Sequence, residues 1–436
     1  MRPYQRYMLK LAEISGTDIS AVYGPNTESK SVLMQRFALR ETSWKEGDQQ
    51  YTILQYSRPV PDEEHGKTVG HLRSVVHCNG AIVCVAPPRA LSMADFSSIH
   101  NPFECVAEEV VEGTMVNLFY HAGDWRLATR GTVGARSKFY KGVPTFRTMF
   151  LEAAVAVGLD FDLLPKTNCY SFVVQHPLNR IVCPIPVPTL YLVDCYTINP
   201  TEMTALRVAL DETLMVLLAE TEVRFPDSWP ISDFAAVTDT YACPTTPFHV
   251  PGVMFRVGGA PVRAKVANPN YEAVRALRGN HPKEQYRYLS LRQSGDVESY
   301  LRFYPEDKEA FAAFGKHVDA FIKQLHASYV QARPMRGGDE SVERHLRPHV
   351  RALHRIYIRQ LRESGRRVHR GTVADYVANL PPARLMHAIN YPIRHAASRP
   401  LPSARAAPDS RRPAELVESG SEGGRSLLAG EVPMSN

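Results

Sequence analysis

The sequence predicts an α+β protein in which an antiparallel-sheet domain is followed by a helical domain. Short stretches of alternating apolar and polar residues, separated by turn signals, fill residues 72–268. Longer amphipathic stretches with helical spacing follow residue 268. The 436-residue chain has 44% hydrophobic and 22% charged residues, which is typical of a globular protein with two or three domains.

These patterns divide the chain into four parts. Residues 1–70 form an irregular N-terminal α/β segment, residues 71–268 the sheet domain, and residues 269–395 the helical domain. Residues 396–436 are rich in Pro, Ser, Arg, Gly and Glu and contain no aromatic residue, which predicts a disordered tail.

Turn signals order the strands of the sheet domain. Asn79 and Gly80 sit between two alternating runs and predict a hairpin, and residues 121–124 connect another pair of runs. Residues 146–158 have helical spacing. Residues 171–184 and 189–198 are rich in β-branched and aromatic residues, and Gly258-Gly259 predicts the turn of a last hairpin.

Four stretches have the apolar spacing of helices. Residues 201–222 open with a threonine that suits an N-cap and carry Leu, Val and Ala at helical spacing. Residues 306–329, 342–364 and 372–378 are amphipathic. The first of these helices is expected within the sheet domain, and the other three form the helical domain.

Composition excludes several classes of protein. The seven cysteines are scattered and form no CxxC pair, which argues against a zinc site or a disulfide framework. No apolar run is long enough for a bilayer, and residues 1–15 lack the apolar core of a signal peptide. A cytoplasmic protein without membrane contact is therefore expected. The net charge of +6 mildly favours an anionic partner.

Three segments occur in an order that is typical of one family of enzymes. Residues 108–135, EEVVEGTMVNLFYHAGDWRLATRGTVGA, resemble a KxDG nucleophile motif followed by a hairpin and a basic-Gly-Ser/Thr turn. Residues 170–182, YSFVVQHPLNRIV, resemble a later strand, and residues 251–266, PGVMFRVGGAPVRAKV, resemble a closing EGxV and KxK hairpin. Together they resemble the phage-type RNA ligase family of covalent nucleotidyltransferases, and most of all its divergent homologues in large DNA viruses.

The resemblance implies an ATP-grasp-like ligase domain that uses ATP and Mg²⁺ on RNA ends. Family members first transfer AMP to the lysine of KxDG, and here Val110 occupies that position. Ser171 and Pro251 occupy two positions where the family has glutamates. An isopropyl group cannot form a phosphoramide, and neither serine nor proline offers the carboxylate oxygens that Mg²⁺ prefers.

The resemblance also marks residues expected to bind the nucleotide: Arg89, Glu112, Gly113, Arg130, Gly131, Arg263 and Lys265. Four of these, Arg89, Arg130, Arg263 and Lys265, are basic and are expected to meet in one groove. Glu112 has two interpretations, an acid of the pocket or a solvated carboxylate in a turn. Lys138 and Lys141 are candidates for a relocated nucleophile or are solvated loop residues.

A basic and aromatic stretch follows the sheet domain. Arg275, Arg278, Lys283 and Arg287 are candidate RNA-binding residues because aromatic residues, which can stack on bases, are interleaved with them. The aromatic residues are Tyr286, Tyr288, Tyr300, Phe303 and Tyr304. The same spacing fits a helix core with a solvated basic face.

The sequence therefore leaves three functions open. One is an ATP-dependent enzyme that seals or modifies RNA ends. Another is a catalytically inactive descendant that binds RNA or nucleotide. A third is a structural protein, for example of a virus, that uses the same fold.

Overall fold

A computed structural model provides the coordinates of the protein. It describes residues 8–14, 17–23, 26–57, 69–138, 143–210, 212–258, 260–332 and 342–397. Residues 1–389 form one compact unit and residues 390–436 a second. The predicted tail lies outside the described residues, apart from residues 396 and 397, which are helical.

The described strands are short, as the hairpin signals predict. They are β1 Met8–Lys10, β2 Glu13–Ile14, β3 Thr17–Asp18, β4 Leu39–Glu46, β5 Gln49–Tyr56, β6 Val75–Cys78, β7 Ala81–Val85, β8 Cys105–Glu109, β9 Thr114–His121, β10 Asp124–Ala128, β11 Asn168–Gln175, β12 Thr189–Asn199, β13 Thr204–Val208, β14 Ser228–Pro230, β15 Gly252–Val257 and β16 Arg263–Ala267.

The described helices are concentrated in the C-terminal half. They are α1 Thr27–Arg36, α2 Met93–Ile99, α3 Phe146–Ala156, α4 Glu212–Leu217, α5 Phe234–Tyr241, α6 Pro269–Arg278, α7 Glu284–Ser294, α8 Val297–Phe303, α9 Lys308–Ala332, α10 Arg347–Ile356, α11 Arg370–Ala378 and α12 Pro382–Ala397. Residues 357–361 extend α10 as a π-helical turn. No helix among the described residues combines the length and apolar character needed to cross a membrane.

The largest sheet of the described residues is antiparallel, in the order β1-β13-β12-β11-β9-β10. Its central strand β11 is buried along nearly its whole length because apolar layers cover both faces. One layer includes Met149 and Phe150 of α3, which pack against Phe172. The other includes Tyr51 of β5, which packs against Phe119.

A second antiparallel sheet has the order β4-β5-β6-β7. Asn79 and Gly80 connect β6 to β7 with φ of 52° and 80°, so this hairpin turn is confirmed. The predicted boundary near residue 70 falls inside this sheet because β5 pairs with β6. The N-terminal segment and the first strands of the predicted sheet domain therefore share one core.

A third sheet has the order β14-β8-β15-β16. β8 directly precedes the segment that resembles the nucleophile motif, and β15 and β16 form the predicted last hairpin. Gly259, half of the predicted turn, lies outside the described residues. Three segments that resemble ligase motifs thus supply neighbouring strands of two sheets.

The helices from α6 to α11 surround a core of their own. Tyr300 stacks on Tyr304 and on Phe311, with ring centroids 4.6 and 5.1 Å apart respectively. These rings are almost fully buried. The helical domain is therefore organised around aromatic residues of α8 and α9.

One predicted helix is wrong. Residues 204–208 of the predicted helix 201–222 are strand β13, which pairs with β12 and β1. Only residues 212–217 are α-helical. The apolar spacing of this stretch fits both structures, and pairing between two open strand edges decides in favour of the strand.

We expect Gly252→Ala to destabilise the protein much more than Gly123→Ala. Both glycines have positive φ, 123° and 82°. A Cβ on Gly252 would lie 2.1 Å from the Val266 carbonyl oxygen, whereas a Cβ on Gly123 would meet nothing within 4 Å. Urea unfolding should therefore show a loss of about 3 kcal/mol or more for Gly252→Ala and about 1 kcal/mol for Gly123→Ala. Equal losses would contradict this close packing.

Candidate nucleotide cleft

The sheet that contains β8, β15 and β16 presents one polar face. Glu108, Met254 and Lys265 are register partners across the three strands and point to the same side. Arg263 lies two residues before Lys265 and shares that side. Val110 follows Glu108 by two residues, just beyond the end of β8. The two predicted phosphate-binding cations, Arg263 and Lys265, thus belong to the same face as Glu108.

A chain of buried ion pairs joins this face to the large sheet. Arg256 donates from Nε to Glu108 Oε1 at 2.9 Å and from Nη1 to Asp194 Oδ2 at 3.3 Å. Arg207 donates from Nε to Asp194 Oδ1 at 2.7 Å. Asp194 and Arg207 belong to β12 and β13, so this series of ion pairs connects the two sheets. We call these four residues, Glu108, Asp194, Arg207 and Arg256, the cleft network.

Asp194 is the centre of the cleft network. Burial alone would raise the pKa of its carboxyl group, but the guanidinium groups of Arg207 and Arg256 outweigh burial and lower the pKa to about 2. Tyr196 also donates its hydroxyl to Asp194 Oδ2 at 3.0 Å. Both carboxylate oxygens of Asp194 are therefore occupied by protein donors.

The cleft does not fit the Mg²⁺ that the resemblance implies. Ser171 donates its hydroxyl to Asn117 Oδ1 at 2.8 Å and is fully buried. Pro251 has no side-chain oxygen, and the carboxylates of Glu108 and Asp194 are held by arginines. Among the residues that the structure describes, no group of three or more His, Cys, Asp or Glu side chains could hold a metal ion.

Lys265 differs from the other cations of the cleft. Burial lowers the pKa of its ammonium group, the Glu272 carboxylate opposes this shift, and Arg275 adds to it. Its ammonium group has no hydrogen-bond or ion-pair partner within the part of the chain that the structure describes. Lys265 is thus half-buried and available to a ligand.

Arg89 and Arg263 line one cavity of about 260 Å³, which we call the Arg89 cavity. Arg263 donates from Nε and Nη2 to the Pro88 carbonyl oxygen at 3.2 and 2.8 Å. Arg89 is exposed at the mouth. His71 and His100 also line the cavity, and burial lowers the pKa of both imidazoles. The buried Nδ1 of His71 has no hydrogen-bond partner among the residues with described positions.

Arg130 and Gly131 do not join that cavity, which corrects the expected meeting of four basic side chains. Arg130 donates to the Tyr56 carbonyl oxygen at 3.0 Å and lies 4.7 Å from the centroid of the Tyr56 ring. A Cβ on Gly131 would lie 3.7 Å from the side chain of Gln55. The loop after β10 therefore packs against the end of β5 because Tyr56 offers both a carbonyl group and a ring face.

Glu112 is not a solvated carboxylate in a turn. It is buried, and its Oε1 accepts hydrogen bonds from the backbone N–H groups of Val182 and Cys183 at 3.0 and 3.1 Å. Gly113 follows with a φ of 151°, and a Cβ there would lie 2.6 Å from the Val174 carbonyl oxygen. The segment after Val110 is therefore fixed by packing, and Glu112 closes a loop.

The predicted RNA-binding stretch is partly core. Arg287 is buried and donates to the hydroxyl of Tyr300 at 2.8 Å, so it is not a surface residue for RNA. Tyr288, Tyr300 and Tyr304 are buried as well, which excludes stacking on bases. Arg275 and Lys283 are exposed, and Arg278 is half-buried. The helix-core interpretation therefore holds for Tyr288, Tyr300 and Tyr304, whereas Tyr286 and Phe303 are half-buried.

The two proposed substitute nucleophiles stay predictions. Lys138 is exposed in the loop that precedes α3, and Lys141 lies outside the described residues. The sequence interpretation missed the cleft network altogether. One signal was present, because Asp194 and Arg256 interrupt otherwise apolar strands, where an isolated charge needs a buried partner.

No protein-family model matches the chain, and no curated protein matches it in sequence. Similar solved structures include an archaeal ATP-dependent RNA ligase, with a TM-score of 0.39 and 16% identity over 84% of this chain and 77% of that one. Another is a putative ATP-dependent DNA ligase from Aquifex aeolicus, with a TM-score of 0.38 and 12% identity over 70% of this chain and 79% of that one. The chain is thus similar in structure to ATP-dependent ligases at low identity. The viral and phage-type relationship stays a prediction.

We expect Asp194→Asn to destabilise the protein by about 3–5 kcal/mol, because it leaves two buried guanidinium groups without a counter-charge. Glu13→Gln, which removes the exposed carboxylate 4.0 Å from Lys10, should change stability by less than about 1 kcal/mol. Urea unfolding at pH 7 measures both.

The same variant should alter the response to acid. The folded pKa of Asp194 lies below its ordinary value of 3.8, so its contribution to stability is present above that value and lost as pH falls towards 2. Stability of Asp194→Asn should therefore fall less steeply than that of the wild type between these pH values. Parallel curves would contradict the ionised state of the buried carboxyl group.

Proposed function

We propose that the protein is a ligase-fold protein that binds the phosphates of a nucleotide or an RNA end at the Arg89 cavity, without covalent adenylyl transfer. The observation that carries this proposal is a buried cation, Arg263, beside an open cavity. Both side-chain hydrogen bonds of Arg263 go to a neutral carbonyl group, that of Pro88. Its guanidinium group lines the Arg89 cavity.

Charge balance supports an anionic ligand. Among the residues that the structure describes, three buried arginines, Arg207, Arg256 and Arg263, adjoin two carboxylates, those of the cleft network. Burial, together with repulsion from Arg256 and Arg73, lowers the pKa of Arg263 to about 10. A phosphate group in the cavity would offset this excess, since phosphate accepts short charge-assisted hydrogen bonds from guanidinium groups. Arg89 at the mouth adds a second donor.

The absence of a nucleophile at Val110 supports binding over catalysis. The side chain that replaces the family's lysine is apolar, and the cleft carboxylates are engaged by arginines. Such a cleft can hold a phosphate but does not supply the amine that the first ligase step requires.

Lys265 favours a second candidate function, an enzyme with a relocated nucleophile. It lies on the same face as Glu108, which precedes Val110 by two residues, and has no hydrogen-bond or ion-pair partner among the described side chains. In that case its neutral amine would attack the α-phosphorus of ATP, a P–N bond would form, the bond to the bridging oxygen of the β-phosphate would break, and pyrophosphate would leave. The proton of the amine would pass to solvent.

Nucleotide affinity should depend on Arg89. We expect Arg89→Glu to weaken the binding of ATP and of a 5′-phosphorylated single-stranded RNA at least tenfold, because a carboxylate replaces a phosphate donor at the cavity mouth. Arg40→Glu makes the same charge change at an exposed position of β4 and should leave both affinities unchanged. Titration at several salt concentrations should show a steeper slope for the wild type than for Arg89→Glu. Equal losses in both variants would indicate general electrostatics.

Incubation with α-labelled ATP and Mg²⁺, followed by denaturing electrophoresis, separates the two candidates. We expect that no label stays on the protein. A label that disappears in Lys265→Arg, and persists in Lys138→Arg, would replace the binding proposal with the relocated-nucleophile enzyme. If neither ATP nor RNA binds at physiological salt, the structural interpretation replaces both.

A further inference from the structure

A larger cavity of about 420 Å³ lies between the sheets and the helical domain. We call it the Phe146 cavity. Its lining includes Thr114, Phe146, Asn179, Glu272, Arg275 and Arg278. This volume is within the range of small-molecule sites. None of the described residues that form the Arg89 cavity lines it.

Thr114, which lines the Phe146 cavity, is on the opposite face of the large sheet from Asp194 of the cleft network. Thr114 pairs with Val174 and points to the same side as Val116, which packs in the layer beneath α3. Asn117 pairs with Ser171 and points to the other side, towards the cleft. Successive residues of a strand alternate between faces. Thr114 and Asn117 therefore lie on opposite faces of β9. Lys265 of the cleft face interacts electrostatically with Glu272 and Arg275, so the Phe146 cavity adjoins the edge of that face.

Several hydrogen bonds, partly buried or exposed, hold the wall of the cavity in place. Arg180 donates to Glu306 at 2.6 Å and to the Phe303 carbonyl oxygen at 2.6 Å. The hydroxyl of Tyr304 donates to the Ile181 carbonyl oxygen at 2.9 Å. Because these bonds fix the loop at residues 179–181 against the helical domain, the cavity is preformed.

The side chains of the cavity combine three kinds of chemistry. Arg275 is 54% exposed and Glu272 41% exposed, and they pair at 3.2 Å at the rim. Arg278 adds a second guanidinium group, and Phe146 offers a half-buried aromatic ring. A guanidinium pair suits a phosphate, an aromatic ring suits a base, and a carboxylate suits ribose hydroxyls. The binding of a simple polyanion would not require the aromatic ring of Phe146 or the carboxylate of Glu272.

We propose that the Phe146 cavity binds a ribonucleoside phosphate, with its phosphate at Arg275 and Arg278, its ribose at Glu272 and its base at Phe146. This site is separate from the Arg89 cavity and does not depend on the function proposed there. A free nucleotide and the terminal nucleotide of an RNA strand present the same chemistry to it.

The test uses the full chain carrying Arg89→Glu, so that binding at the Arg89 cavity does not contribute. AMP, 2′-deoxy-AMP and ribose 5-phosphate are titrated by calorimetry. We expect AMP to bind at least tenfold more tightly than ribose 5-phosphate, because the base is missing from the latter, and several-fold more tightly than 2′-deoxy-AMP. Adding Arg275→Glu should weaken the binding of AMP at least tenfold. Adding Arg40→Glu instead should leave the binding of AMP unchanged.

Glu272→Gln tests the proposed ribose contact separately from the phosphate contact. It should remove the preference for AMP over 2′-deoxy-AMP, because the amide accepts a ribose hydroxyl more weakly than a carboxylate does. Phe146→Leu keeps an apolar side chain at the first position of α3 and should remove the preference for AMP over ribose 5-phosphate. An unchanged AMP affinity in Arg275→Glu, or unchanged preferences in the other two variants, would overturn the proposal.

Two further comparisons separate the possible outcomes. Competition between AMP and a 12-nucleotide single-stranded RNA shows whether an RNA end reaches the same site: mutual displacement supports an RNA terminus, and independent binding supports a free nucleotide. One result would separate the two proposals: Arg89→Glu alone leaves ATP binding unchanged, and Arg275→Glu abolishes it. That result would support binding at the Phe146 cavity and contradict the proposed function at the Arg89 cavity.

Discussion

The buried Asp194 carboxylate is the contact on which the arrangement of the two sheets depends. It receives hydrogen bonds from Arg207 on its own sheet and from Arg256 on the facing one, and Arg256 also holds Glu108. Removing charges from water costs several kcal/mol per ion. A series of buried ion pairs is therefore tolerated only when each of its charged groups has a partner of opposite charge. This requirement fixes how the strands that flank Val110 face the large sheet.

The cleft network also decides which chemistry the cleft can perform. Ligation by the family's route needs an amine for AMP and carboxylates for a divalent ion. Here the positions that would supply them hold Val110, Ser171 and Pro251, and the acids that do face the cleft neutralise arginines. The cations remain. A cleft that presents cations, and whose described carboxylates are paired with arginines, is suited to holding phosphate.

Sequence patterns predicted the elements that local rules determine. The Asn79-Gly80 hairpin, the β15–β16 hairpin and the long helix α9 follow from turn chemistry and apolar spacing. Contacts between distant segments were not predictable in this way. Arg256 and Glu108 are 148 residues apart, and strand β13 depends on the edge of β12 rather than on its own spacing. Tyr300 and Tyr304 looked equally suited to a base-binding surface and to a core, and only their burial separates the two.

The helical domain is not a separable attachment to the sheets. Glu112 binds the backbone of Val182 and Cys183, and Tyr304 of the helical domain binds the neighbouring Ile181 carbonyl oxygen. Val182 itself is buried in the helical core. A cut at residue 268 would therefore leave Val182 exposed and the loop at residues 180–183 without half of its partners. The segment that follows Val110 thus connects the cleft to the helices.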